Sequence, residues 1–275
     1  MLNTSDEMLN IEYGGYTVKI AIKVRRTSDK FLVLLHGIGC SQESFNRAFY
    51  AEELQNFSIC TFDFPGHGES GSLPSSLYSL QAYADITELV ISHLSCDRIS
   101  ILGHSMGGAV GTIAIQGRSD IDCFVNADGN LVAEDCGLVS RNMAAQSSKT
   151  FLREGFHQFL AALQNSPRND FGAWAKWCKS ADPHALHQVA KSLVEWSDNG
   201  KLLKLFNALK CKAYLYGSQD DKRYLLKQIT DTSVSEVPNA GHFMMVDNPD
   251  SFYRMLSGAL TVNASGRIDQ VSVNF

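Results

Sequence analysis

No stretch of this chain approaches the ~20 consecutive apolar residues that a membrane-spanning helix needs, and its opening MLNTSDEMLN has no basic segment followed by an apolar one. A spanning segment and an export signal are therefore not expected, and the cytoplasm is the expected location. Also absent is any block of like charge: 29 acidic and 24 basic residues are spread along the chain, for a formal net charge of -5. A nucleic-acid or anionic-lipid surface needs its cations gathered, so neither partner is expected. Seven cysteines (Cys40, Cys60, Cys96, Cys123, Cys136, Cys178, Cys211) include no C-x-x-C pair, and several lie inside apolar runs such as FSICTF and IDCFVN. That is the pattern of reduced, mostly buried thiols rather than of a disulfide framework or a metal site. Internal repeats and low-complexity segments are missing too. N-x-[ST] triplets begin at Asn3, Asn56 and Asn263, but without an export signal they carry no glycosylation argument.

What is present is enough for one large α/β domain: 275 residues, 44% hydrophobic. Six short β-rich apolar runs read as strands buried on both faces: 31–37, 58–66, 98–105, 122–130, 212–218 and 233–238. Helical patterns at 41–55, 79–94 and 106–117 alternate with them, the first two opening at Ser41 and Ser79, which predicts a mostly parallel sheet covered by helices on both faces. IEYGGYTVKIAIKV reads as a hairpin at the sheet edge, turning near Gly14 and Gly15. From 131 to 208 the alternation fails, and the segment reads as a helical cap inserted into a core formed by 1–130 and 209–275. Breakers at Asn165 to Pro167 and at Asp182 and Pro183 divide it. The tail TVNASGRIDQVSVNF lacks helical periodicity and reads as loosely held, with VSVNF a candidate edge strand.

The strongest chemical signal is Gly103-His104-Ser105-Met106-Gly107-Gly108, where the strand RISIL ends and a small-residue helix begins. A serine on so sharp a turn adopts strained backbone angles, and the residues two before and two after it must be small. The strain projects the hydroxyl into the cleft, while the Met106 N–H at the helix start is free to bind a developing oxyanion. A serine hydroxyl needs a base. Among eight histidines, His242 follows a predicted strand in the loop NAGH, after the serine in chain order.

With GHSMGG come LLHGIG (34–39), DFPGHGES (63–70), LYGSQD (215–220) and NAGHF (239–243), in that order. In these motifs the chain resembles the α/β-hydrolase family over residues 15–260. The resemblance implies that fold, the order Ser, Asp, His for the triad, and the Ile38 N–H as second oxyanion donor. It makes Asp220, in the G-x-x-D pattern Gly217 to Asp220, the triad acid, with Asp128 in NADGN as the alternative and Asp221 a neighbour one residue out of step. His36, Asp63, His67 and Ser70 read as loop braces rather than reactants. The expected function is hydrolysis of a carboxylic ester or thioester of a small, largely apolar substrate through an acyl-enzyme on Ser105, with no metal or organic cofactor. Carbon–carbon bond hydrolysis, acyl transfer and a ligand-sensing role on the same triad are the alternatives. Phe151, Phe156, Phe159, Phe171, Trp174, Trp177 and Trp196 in the cap are expected to pack between cap and core, some of them lining an apolar acyl pocket over Ser105.

Overall fold

A computed structural model describes residues 4–265 of the chain. The strands β1 (Thr4–Tyr13) and β2 (Tyr16–Arg25) form a hairpin turning at Gly14 and Gly15. They are followed by β3 (Lys30–Leu35), β4 (Ser58–Phe62), β5 (Arg98–His104), β6 (Ile121–Ala127), β7 (Lys212–Gly217) and β8 (Ser233–Val237). These make one eight-stranded sheet in the order β1-β2-β4-β3-β5-β6-β7-β8. Pairings of β1 with β2 and of β2 with β4 are antiparallel, and the other five are parallel. Apolar runs sit at the centre: every residue of β4, and all of β3 after Lys30, is buried. The hairpin alternates instead and exposes one face of β1. It is longer than its apolar pattern suggests, since β1 begins at Thr4.

Helix α1 (Leu80–Leu94) is capped by Ser79, whose Oγ accepts from the Ala82 N–H at 3.0 Å. Helix α2 (Met106–Ala114) is buried along its whole length, because its glycines and alanines let it lie flat against the sheet. Between β6 and β7 the described residues hold no strand. They form a 3₁₀ turn at Ala133–Cys136, then α3 (Gly137–Ala145), α4 (Ser148–Thr150), α5 (Phe156–Gln164), α6 (Asn169–Cys178), α7 (Pro183–Asp198) and α8 (Lys201–Ala208). This helical insertion rests on the loop after β4 and on the start of α1. Asp182 N donates to Gly66 O at 2.8 Å, and Leu80 N donates to Ser192 Oγ at 3.1 Å. The chain continues through α9 (Arg223–Leu226), α10 (Met244–Asp247) and α11 (Pro249–Ser265).

Two local expectations fail. The helix expected at 41–55 is a pair of 3₁₀ segments, Gln42–Phe49 and Glu52–Leu54, and Ser41 makes no side-chain cap. Arg25 reaches into this segment: fully buried on β2, its guanidinium donates to Phe49 O (2.7 Å), a carbonyl that a continuous helix would need, and beyond it to Leu54 O (2.6 Å) and Phe57 O (2.9 Å). At the other end α11 runs on to Ser265, into the segment whose pattern reads as a tail; VSVNF lies outside the described residues. Five of the seven cysteines, Cys40, Cys60, Cys123, Cys136 and Cys178, are buried. Burial pushes the Cys60 and Cys178 thiols up to about 12, and they stay protonated at neutral pH. No helix among the described residues is long and apolar enough to cross a membrane.

The β5–α2 turn shows why its glycines are needed. A Cβ on Gly103 would stand 2.3 Å from Gly107 O, and one on Gly107 would stand 2.2 Å from Leu35 O at the end of β3. Both obstacles are backbone, so neither can swing aside. Gly107→Ala is therefore expected to lower unfolding stability by about 2–3 kcal/mol, as overpacking of a tight site does; urea denaturation of the variant beside the parent protein checks this, and an unchanged midpoint would contradict it.

Candidate active site

Ser105 stands between β5 and α2 with φ 55° and ψ -123°, a conformation that side chains rarely adopt. Its backbone is bolted to the end of the next strand: Ser105 N donates to Ala127 O (3.1 Å), and Ser105 O accepts from Gly108 N (2.9 Å) and Asn130 N (3.3 Å). Strain is held in place by hydrogen bonds from both sides. The loop after β3 closes over the same point, since a Cβ on Gly37 would lie 3.1 Å from Ser105 Cβ. Ile38 and Met106, the two expected oxyanion donors, are buried beside it.

Two neutral histidines knit the loops that carry these residues. His36 Nε2 accepts from the Phe64 N–H at 3.1 Å, and His67 Nε2 accepts from the Gly39 N–H at 3.2 Å. Asp63 collects the N–H groups of Gln42 (2.7 Å) and Glu69 (2.9 Å), while the Ser70 hydroxyl donates to Asp63 O and accepts from Ala21 N. All four act as braces, as the sequence suggests. His104, whose side chain the sequence leaves without a role, is a third brace. It is fully buried, and its Nε2 lies 2.9 Å from His242 O, so the residue before Ser105 holds the loop of His242.

Of the two candidate acids, the structure brings the alternative, Asp128, and not Asp220 into hydrogen-bond contact with His242. His242 Nδ1 lies 2.7 Å from Oδ2 of Asp128, not against Asp220. In this contact the neutral imidazole carries its proton on Nδ1, leaving the Nε2 lone pair open. Asp128 reaches this place because its φ of 48° turns the chain back at the end of β6 and its N–H is tied to Leu215 O at 2.7 Å. Asp220 lies in the turn after β7, half-buried, beside Asp128. Burial first, then the negative charge of Asp128, raises its carboxyl above the usual range.

Asp128 has further partners that the sequence did not announce. Its Oδ1 meets the Lys222 ammonium and accepts from the Tyr214 hydroxyl at 3.3 Å. Burial opposes ionisation of Asp128, but the charge and hydrogen bond of His242, followed by Lys222, overcome it and hold the carboxyl well below the usual range. Lys222 also faces Asp135 at 3.5 Å. Asp135 in turn accepts from the Tyr224 hydroxyl (2.6 Å) and from the N–H groups of Leu131 (2.9 Å) and Val132 (3.1 Å). One buried ammonium between two carboxylates satisfies the requirement that buried charges be paired. The only sequence trace of this network was a basic residue two positions after Asp220.

From the helical insertion, Trp174 and Trp177 reach the site. Their rings pack at 5.3 Å and 6.2 Å from Phe243, the residue after His242. Phe159 and Phe171 surround Trp174, Phe151 and Phe156 pack on each other near His187, and Trp196 lies under Lys201. Among the described residues no group of three or more His, Cys, Asp or Glu side chains is arranged to hold a metal ion.

Two outcomes are expected. Asp128→Asn is expected to lower kcat on the order of 10⁴-fold by disturbing the histidine tautomer, and Asp220→Asn to stay within about tenfold of the parent; steady-state kinetics on both folded variants decides between the two acids. The second concerns acid stability. Burial holds His36 well below its ordinary value, His67 at about 4 and His104 at about 3, whereas in the unfolded chain they titrate near ~6.5. As pH falls from 6.5 toward 4 the unfolded state binds protons that the folded state refuses, so each histidine removes up to ~1.4 kcal/mol per pH unit. Asp63, lifted by burial to about 6, works in the opposite direction over the same window, as does Asp220. The net loss is expected on the order of 2 kcal/mol per pH unit. Urea midpoints at pH 7, 6 and 5 measure it, and a flat series would show that these histidines ionise within the fold.

A family model described as the alpha/beta hydrolase family matches residues 32–255. A 2-hydroxy-6-oxononadienedioate/2-hydroxy-6-oxononatrienedioate hydrolase of Escherichia coli is 31% identical over 107 residues, covering 38% of this chain and 37% of that protein. The curated relatives are matched over about a third of their own length, between 32% and 37% for three of them. Among solved structures, an N-acyl homoserine lactonase complexed with N-hexanoyl homoserine lactone superposes with a TM-score of 0.74 at 18% identity, over 95% of this chain and 99% of that one. A thermophilic esterase from Thermogutta terrifontis gives 0.72 at 19%, over 94% and 99%. These two likenesses speak to the fold. With eight strands in the order described, a strained serine at the β5–α2 turn and a family match across most of its length, the chain belongs to the α/β-hydrolase family.

Proposed function

We propose that the protein is a serine hydrolase cleaving a carboxylic ester or thioester of a small, largely apolar substrate through an acyl-enzyme. The observations that support this reading are the strained elbow of Ser105 and, on the loop that His104 ties to this elbow, a histidine whose Nδ1 is 2.7 Å from a buried carboxylate. His242 Nε2 takes the proton of the Ser105 hydroxyl as Oγ bonds to the acyl carbon, and the carbonyl electron pair moves onto its oxygen. The N–H groups of Ile38 and Met106 stabilise that oxyanion. When it collapses, the bond to the leaving oxygen or sulfur breaks and His242 returns its proton to the leaving group. Water repeats the cycle on the acyl-enzyme and regenerates Ser105. Asp128 holds the imidazole in the required tautomer and balances the charge it acquires.

Trp174, Trp177 and Phe243 give the acyl side of the site an aromatic wall, which supports an apolar substrate over a sugar or a polyanion. A second reading comes from the Escherichia coli relative, named as a hydrolase of 2-hydroxy-6-oxononadienedioate. The same residues acting on a dienoic keto acid would cleave a carbon–carbon bond.

A panel of esters, thioesters and a dienoic keto acid tests both, with Ser105→Ala as reference. Ser105→Ala is expected to lose at least ~10³-fold in kcat/KM and to stop reacting with a fluorophosphonate, while melting at the parent temperature; activity within tenfold of the parent would remove Ser105 from the role. Across the acyl series, each methylene added is expected to strengthen binding by up to ~0.8 kcal/mol until the pocket is full. A rise in kcat/KM followed by a sharp fall is the expected profile, and a flat one would contradict an enclosed apolar pocket.

A further inference from the structure

The loop after β3 turns at Gly37-Ile38-Gly39-Cys40, closed by the Cys40 N–H donating to Gly37 O at 3.1 Å. Gly39, in its third position, has φ +65°, the sign a type II turn requires there. Such a turn leaves the peptide between its second and third residues projecting, with both polar groups free. Here both are taken, and from different parts of the molecule. The Gly39 N–H donates to His67 Nε2, on the loop after β4, at 3.2 Å. Ile38 O accepts from the indole Nε1–H of Trp174, on α6 of the helical insertion, at 3.0 Å. The fit is tight as well as polar, since a Cβ on Gly39 would stand 3.1 Å from Trp174 Nε1 and 3.2 Å from Cys178 Sγ. Trp174 is buried, and its ring is wedged against Phe243 at 5.3 Å and Phe159 at 5.2 Å.

We infer that Trp174 is a positioning residue for the oxyanion hole: by holding the Ile38 carbonyl, the helical insertion fixes the backbone that aims the Ile38 N–H, so the hole is complete only while α6 is seated on the core. The inference rests on the reading of Ser105 as nucleophile and Ile38 N–H as oxyanion donor. An oxyanion donor contributes because it is fixed before the charge develops and need not reorganise during the reaction. Glycine tolerates φ of either sign, so Gly39 by itself does not hold its turn in one form. The type I and type II forms differ by a reversal of this projecting peptide and leave the Gly37–Ile38 peptide, which carries the Ile38 N–H, unturned; what the two side-chain bonds hold in place is the Ile38 backbone to which that N–H is attached. His67 belongs to the sheet side and is always present. Trp174 belongs to the insertion, and its bond makes the hole depend on how α6 sits.

The test is Trp174→Phe, which keeps a ring in the aromatic wall and deletes only the indole and its N–H, assayed on the best ester of the panel. A complete donor is worth ~10²–10³ in kcat, and loss of its support is expected to cost about 10- to 100-fold in kcat with KM within about threefold. Affinity for a trifluoromethyl ketone, which forms an oxyanion on the serine, is expected to fall by the same factor. Leu160→Ala loosens α5, which packs on α6 in the same insertion, but keeps the indole N–H and is not one of the residues placed in the site, and its kcat is expected to match the parent. Gly39→Ala attacks the clamp from the turn side and is expected to repeat the kcat loss, which keeps the inference open to refutation if Trp174→Phe does not fold. A kcat within twofold of the parent in Trp174→Phe or in Gly39→Ala, a loss confined to KM, or an equal kcat loss in Leu160→Ala would overturn it. If instead the parent protein turns over no substrate and Ser105 resists the fluorophosphonate, the proposed function has failed rather than this clamp.

Discussion

The backbone of Ser105 is the joint on which the site depends. Its N–H is given to the last residue of β6 and its carbonyl receives the N–H of Asn130 just beyond that strand, so the nucleophile and the loop after β6 cannot move independently. That loop carries Asp128, whose left-handed conformation turns its carboxylate to His242. Strain at a functional residue persists only where its surroundings over-determine it. Here the glycines on either side make the room, and the β6 loop supplies the bonds. The Ser105 elbow and Asp128 are thus a single backbone construction, with His242 brought to Asp128 by the loop after β8.

Electrostatics follow from the same geometry. A carboxylate drawn this deep must be paired, and Lys222 pairs it while dividing its charge with Asp135. The pairing also explains why two acidic residues can stand so close. Asp128 takes the contacts with His242, Lys222 and Tyr214, and Asp220, denied them and half-buried, holds a proton more readily than an ordinary carboxylic acid. Around this charged centre three histidines are kept neutral by burial. His36, His67 and His104 each bind a backbone group, which gives buried main-chain donors and acceptors their partners without adding charge.

Much of this was legible in the sequence because it is written in short-range patterns. Buried parallel strands show as apolar runs, the elbow shows as glycines at fixed distances from a serine, and the insertion shows as a failure of strand alternation. What was not legible depends on distance. Asp220 fits a local pattern after β7, but which of two carboxylates reaches His242 is set by the φ of Asp128 and its bond to Leu215 O, and no string of letters records either. Arg25, sixteen residues before the 41–55 segment, takes from it the Phe49 carbonyl that a continuous helix would use. Trp174 reads as a packing aromatic and Lys222 carries no reading, because their partners lie far away in the chain.

The tryptophan case bears on how a shared fold can be specialised. Family members hold the serine, the base and the sheet in common, while substrate choice is carried by what is inserted above them. Where an insertion merely roofs the site, it changes binding and leaves the reacting groups alone. In this protein the helical insertion also hydrogen-bonds the loop after β3, through the Trp174 indole N–H to Ile38 O. On the reading proposed above, a change in α6 that suits a new substrate is felt in the chemical step as well as in the pocket, and substitutions on the insertion are constrained by the backbone they touch as much as by the substrate.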